Sequence, residues 1–219
     1  VLNMWNALWF WPVTQVDSLP TYDEYLAAVK DLVGMPNSSV EKKFEGSFDS
    51  VRDWAQLGYV ETMQKSSTGQ KNIADVFAAH PWLHTVNQIA GEQAFFHWDL
   101  DFATVMAKGG FDLQIGNPPW VRPDVDIDAL LSEHDPWFSI ASKPTQKQKE
   151  KRRLPLLSNP RVKATLVKGI SESVALSAFL KSPSEYPVLA GQRPDLYRGF
   201  MERTWKNSAE NGIVSLVPV

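Results

Sequence analysis

The sequence contains no cysteine. Disulfides, cysteine-ligated zinc and thiol nucleophiles are therefore excluded together, and the absence fits a reducing, cytoplasmic compartment. No apolar run approaches the length of a membrane span, and no segment has the pattern of a secretory signal. The apolar start, residues 1–13, is broken by Asn3, Asn6 and Pro12 and lacks a basic lead. Net charge is also scarce. With 22 Lys+Arg against 25 Asp+Glu the balance is -3, so any charge that meets nucleic acid has to be local. Internal repeats and low-complexity tracts are missing too. What remains, 219 residues that are 43% hydrophobic and 21% charged, is the composition of a globular protein long enough for one sizeable domain or a large piece of a bigger one. A start of Val1-Leu2-Asn3-Met4-Trp5 reads as cut from something longer. Tryptophan is the residue in excess: nine in all, with Trp5, Trp9 and Trp11 crowding the start. Core packing is their ordinary role, and a docking surface for another segment is the alternative.

The apolar spacing and turn residues predict a mainly helical segment over residues 1–94. A helix or short buried segment covers 1–11 and ends at Pro12. Thr21 and Glu24 form the signature of a capping box, opening a helix that stops at Gly34 and turns Leu26, Val29, Leu32 and Val33 to one side. Residues 35–47 read as a loop. A second helix starts at Ser47 or Asp49 and runs to about Gln64, and 65–70 is a loop. Helices follow over 72–79 and 82–94, interrupted at His80-Pro81. From residue 95 the character changes. Phe111 to Gly116 alternates as a short strand. Residues 121–160 are rich in proline and charge, a helix covers about 160–181, and another runs from Asp195 to Ser208. Asn211-Gly212 makes a turn, and Ile213–Val217 forms a buried strand. Strand, helix and strand in this order form the second half of a parallel α/β sheet, so 95–219 is expected to be one half of a domain with an insert at about 121–190.

The strand ends on Asn117-Pro118-Pro119-Trp120. The carboxyl edge of an open α/β sheet is where ligands bind. Two prolines fix φ, remove two backbone donors and hold Asn117 extended. The result is a rigid turn that displays acceptors, the Asn117 side-chain oxygen and the Pro118 carbonyl. An exocyclic amino group has two N–H donors to match them. Accepting both hydrogens keeps electron density on the nitrogen while it attacks a methyl sulfonium in line, with no strong base. Trp120 supplies a flat face for a flipped base, worth about 1–3 kcal/mol in comparable stacks. A bare Asn-Pro-Pro would more often be a structural turn; the preceding strand of Phe-Asp-apolar-x-apolar-Gly form favours the functional reading.

Residues 111–120, Phe-Asp-Leu-Gln-Ile-Gly-Asn-Pro-Pro-Trp, resemble motif IV of the S-adenosylmethionine-dependent N6-adenine DNA methyltransferases, above all the large single-chain enzymes of type II restriction–modification and related phage-defence systems. Phe96-His97-Trp98-Asp99-Leu100-Asp101-Phe102 is similar to the segment that precedes motif IV in those enzymes. Residues 195–203, with Asn211-Gly212 and the strand ending Val217-Pro218, are similar to the helix and strand that follow it, and 8–12 resembles the upstream region more weakly. The resemblance implies a Rossmann-like class I methyltransferase sheet, of which this chain holds the second half. It implies that Asn117, Pro118, Pro119 and Trp120 take the target adenine. An acidic-aromatic pair sixteen residues before Asn117, here Asp101-Phe102, would hold the cofactor's adenine, with Asp99 competing for that role. S-adenosylmethionine is the implied methyl donor and double-stranded DNA the implied partner, with a restriction nuclease or other defence subunits attached or separate. The family's Asp-x-x-x-Gly-x-Gly cofactor loop is not matched by any glycine before Asn117. The chain is accordingly expected to be a fragment, inactive alone, of an adenine-specific DNA methyltransferase.

Related chemistry leaves two alternatives. Methyltransferases acting on protein glutamine or on guanine N2 in RNA use the same tetrapeptide, though their cofactor loop would fall within about 100 residues upstream in a compact domain. A non-catalytic, methyltransferase-like binding module is the other. Among the remaining signals, Lys147, Lys149, Lys151, Arg152 and Arg153 form a basic run beside motif IV. It reads equally as a solvated face and as a contact for DNA phosphates. His80 and His84 are four apart, but Pro81 intervenes and no third ligand is evident, so no metal is expected. His97 reads as a packed core histidine.

Overall fold

The computed structural model describes residues 1–35 and 51–217. The chain divides into two compact units, residues 1–11 with 15–95 and residues 12–14 with 96–219. Among the described residues, no helix is long and apolar enough to cross a membrane.

The first unit is built from helices α1 (Leu2–Trp9), α2 (Tyr22–Val33), α3 (Trp54–Thr68), α4 (Ile73–Ala79) and α5 (Leu83–Gln93). Helix α2 begins as its sequence dictates. The Glu24 amide donates to Thr21 Oγ1 at 3.3 Å, and the Thr21 amide donates to Glu24 Oε2 at 2.7 Å. Two amides that lack helical partners are thus satisfied reciprocally. Replacing Thr21 with Ala is expected to lower stability by about 1 kcal/mol, read as a shifted urea midpoint of this unit with its slope unchanged. The core joins Met4 and Ala7 of α1, Ala28 of α2, Val76 of α4 and Leu83, Val86 and Ile89 of α5, with Trp82 at its edge. Trp11 packs against this core, whereas Trp5 and Trp54 remain exposed.

Helix α3 departs from expectation at both ends. It starts after Asp53, whose side chain accepts from the Gln56 amide, and it continues through Thr68 before Gly69 closes it at φ +73°. Residues 65–68 are therefore helical rather than loop. Lys-Ser-Ser-Thr has modest helix propensity, and Ser66 and Thr68 return their hydroxyls to carbonyls within the helix. Ser47 and Asp49, expected to start this helix, lie outside the described residues. His80 and His84 have separate partners. His80 Nε2 lies 3.0 Å from Asp31 Oδ2, and His84 sits edge-on to Phe77. Hydrogen bonds from Lys71 and then His80 hold the Asp31 carboxyl below the usual carboxylate range.

The second unit opens with two short helical turns, α6 (Trp98–Asp101) and α7 (Ala103–Met106), and then strand β1 (Phe111–Gly116). Helices α8 (Ile127–Ser132), α9 (Trp137–Ile140), α10 (Gln146–Leu157) and α11 (Pro160–Lys181) follow, then α12 (Leu196–Asn207) and strand β2 (Ser208–Leu216). The proline- and charge-rich stretch after Trp120 thus folds as helices. It has its own core of Leu131, Phe138 and Val162, with Ile127, Trp137, Leu156 and Leu166 against it. The basic run lies on α10, which Thr145 and Gln148 open with a second capping box.

β1 and β2 pair in parallel, Leu113 opposite Ile213 and Gly116 opposite Leu216. They form a two-stranded sheet among the described residues. This is a helix-rich unit with a small parallel sheet, compatible with part of a methyltransferase fold. Two expectations are corrected. β2 begins at Ser208, and Asn211-Gly212 lies in an irregularity within it, between the pairs Phe111–Ser208 and Leu113–Ile213, not in a turn before it. The strand is also not buried: Ile213 is 65% exposed, as its neighbour Ile115 on β1 is 71%. One face of the sheet meets α12, where Gln114 Nε2 donates to the Thr204 carbonyl at 2.8 Å. Among the described residues no such layer covers the face carrying Ile115 and Ile213, although parallel sheets are ordinarily covered on both sides.

Candidate active site

The Asn117–Trp120 turn leaves the carboxyl end of β1. Gly116, its last strand residue, accepts from the Val217 amide through its carbonyl at 2.9 Å. The pairing with the chain after β2 therefore runs right up to Asn117. Beyond the turn, the Val121 carbonyl accepts from the Leu196 amide at 3.0 Å, at the start of α12. Arg122 Nε donates to Asp195 Oδ2 at 3.3 Å, while Asp195 Oδ1 caps α12 by accepting from the Tyr197 amide at 3.2 Å. The turn is thus held from β2 on one side and from the N-terminus of α12 on the other.

Within the turn, Pro118 is buried and Asn117, Pro119 and Trp120 are exposed. The open acceptor is the Asn117 side chain. Trp120 is 41% exposed and stacks on Tyr197, with ring centroids 4.6 Å apart and planes 17° from parallel. Arg198 lies over the Tyr197 ring at 5.9 Å and reaches its hydroxyl. A planar hydrogen-bond acceptor beside a flat, backed ring is what an unpaired, amino-bearing heterocycle requires: the ring takes the π face and the amide oxygen takes an N–H. The sequence reading missed Tyr197 as a site residue. Its only signal was membership of the helix similar to the one that follows motif IV.

Asp101 and Phe102 are placed elsewhere. Phe102 is stacked on Trp98 and set edge-on to Phe111, the first residue of β1. Asp101 Oδ2 accepts from the His97 amide at 3.1 Å, and Asp99 is exposed on the same helical turn. Six residues of strand separate this cluster from Asn117, a rise of about 20 Å. Asp99, Asp101 and Phe102 thus form a cluster of their own at the head of β1, and Asn117 stands at its other end. His97 is half-buried at the head of α6, beside the Phe96, Trp98 and Phe102 cluster, and is not a core residue.

The basic run is also resolved into two sets. Lys149 and Arg153 pair with Asp128 of α8, and Arg152 pairs with Asp135, to which its Nη2 donates at 3.1 Å. The Arg152 hydrogen bond holds the Asp135 carboxyl below its ordinary range. Lys147 and Lys151 are exposed. Three of the five cations thus brace α10 against neighbouring elements. Among the described residues, no group of three or more His, Asp or Glu side chains is arranged to hold a metal ion.

Comparison with curated proteins and with solved structures gives no match. The model of one protein family does match, over residues 18–151, well over half the chain. That stretch includes β1, the whole Asn117–Trp120 turn and the helices that follow it to Lys151. A rigid acceptor turn at a strand end, inside a match of that extent, places the chain in the Eco57I restriction-modification methylase family, a family of DNA methyltransferases.

Proposed function

We propose that this chain carries the target-base part of an adenine-N6 DNA methyltransferase that uses S-adenosylmethionine as methyl donor. The observation that carries the reading is the turn itself: an exposed Asn117 acceptor at the end of β1, three residues before a stacked Trp120. The amino group of a base extruded from double-stranded DNA donates to the Asn117 side chain while its ring lies on Trp120. Both contacts favour a planar base with an exocyclic amine. The hydrogen bond orients the nitrogen lone pair, and the stack replaces the neighbours the base leaves in the duplex. S-adenosylmethionine supplies the electrophilic methyl group. Lys147 and Lys151 are the members of the basic run free to meet phosphates, because Lys149, Arg152 and Arg153 are engaged within the protein.

Product analysis tests the assignment. The full gene product is expressed in a host without DNA methylation that is fed methyl-labelled methionine, and its DNA, RNA and protein are hydrolysed separately and compared with those of cells lacking the gene. N6-methyladenine is the expected product. Methyl label found only in N4-methylcytosine, in RNA guanine or in protein glutamine would overturn the choice of substrate. No label in any of them would favour a binding module without catalysis.

A further inference from the structure

Trp120 has one ring face already occupied. Tyr197 stacks on it at 4.6 Å and 17°, so a second ring can stack only on the opposite face. Tyr197 is itself held. The carboxylate of Asp195 caps its amide and also binds Arg122, two residues after Trp120. The Leu196 amide binds the Val121 carbonyl, and Arg198 packs on the Tyr197 ring and bonds Gln192 Oε1 at 3.1 Å through Nη1. The Arg122–Asp195 and Leu196–Val121 hydrogen bonds thus tie the residues that follow Trp120 to the first turn of α12, which carries Tyr197.

We infer that Tyr197 is a positioning residue for the target base: it backs Trp120 so that the extruded base completes a three-ring stack in the order Tyr197, Trp120, base. This inference rests on the reading of the Asn117–Trp120 turn as the target-base site. A lone exposed indole samples several rotamers, and each has to be frozen when the base arrives. A pre-stacked indole has already lost that freedom, so less of the stacking energy is consumed on binding. Tyr197 touches neither base nor donor and acts only through Trp120.

The test is a double-mutant cycle on the full gene product with two duplexes of its mapped methylation site: one keeps the target adenine and gives the methylation rate, and the other carries 2-aminopurine in its place and reports base extrusion by fluorescence. Tyr197→Leu, which keeps apolar bulk without a flat ring, is expected to lower kcat/KM roughly three- to tenfold, the range for loss of one aromatic pair. It should lower the 2-aminopurine fluorescence gain in step, with KM for S-adenosylmethionine unchanged, and Tyr197→Phe should restore both. In a Trp120→Ala background the same change should have no further effect, because the two residues act as a unit. An equal loss in both backgrounds, or wild-type rate and fluorescence for Tyr197→Leu, would overturn the role. Should Tyr197→Leu unfold the protein, Tyr197→His provides a second non-stacked or weakly stacked ring for the same cycle. Asn117→Ala is run alongside. If it stays fully active the turn is not the target-base site. If it is inactive while Tyr197→Leu behaves as wild type, only the role of Tyr197 fails.

Discussion

Asn117→Ala is expected to lower the rate of methyl transfer by about 10²–10³, the usual loss when one preorganised hydrogen-bonding group is removed from a reacting centre. The side chain is exposed, and no described residue bonds it, so its removal leaves the surrounding packing intact. Stability and the circular dichroism spectrum should be those of the wild type. Binding of DNA should also be nearly unchanged, because phosphate contacts dominate affinity and one base contact adds little to it. The loss should thus fall on kcat with KM for DNA little altered. Steady-state methylation of a cognate duplex, with protein concentration corrected for folded fraction, is the measurement. Wild-type kcat would remove Asn117 from the chemistry.

Gly110→Ala is expected to destabilise the second unit by roughly 2–6 kcal/mol, combining backbone strain with overpacking. Gly110 has φ +114°, and a Cβ added there would lie 2.5 Å from the Asn207 carbonyl oxygen, 2.7 Å from the Ser208 carbonyl carbon and 2.8 Å from the Ala209 nitrogen. All three are backbone atoms and cannot turn aside. They belong to the junction of α12 with β2, so relief requires the strands to part where their pairing begins. Gly69→Ala is the matched control. Gly69 also has positive φ, +73°, but a Cβ there meets open space, so its cost is the conformational strain alone, about 1–2 kcal/mol. Thermal unfolding of both variants separates the two contributions. Equal losses would show that the close approach at Gly110 has no energetic weight.

Local signals in the sequence were sufficient wherever the determinant was itself local. The Thr21–Glu24 box, the Gly34 stop, the break at His80-Pro81 and the 160–181 helix with Pro160 at its head all rest on residues within a few positions of each other, and they stand in the structure as read. The β1 strand and its terminal turn were legible for the same reason. The failures are tertiary. The ion pairs of Lys149, Arg152 and Arg153 were not legible because the acids that meet them, Asp128 and Asp135, lie up to 25 residues earlier on other elements. Ile213–Val217 looked buried because its composition is apolar, yet exposure depends on what else packs against the strand. Tyr197 was invisible as a site residue because its partner, Trp120, lies 77 positions away.

The parallel pairing of β1 with β2 also sets a timetable for synthesis. The acceptor turn emerges near residue 120, but the groups that fix it, from Asp195 to Val217, emerge some 75–100 residues later. At ordinary translation rates that is a wait of about 5–20 s. Helices α8 to α11 form locally in that interval, gathering around Leu131 and shortening the loop whose ends must meet. A nascent chain therefore holds its tetrapeptide complete yet unbraced, with its neighbours already folded, until β2 arrives to pair with β1.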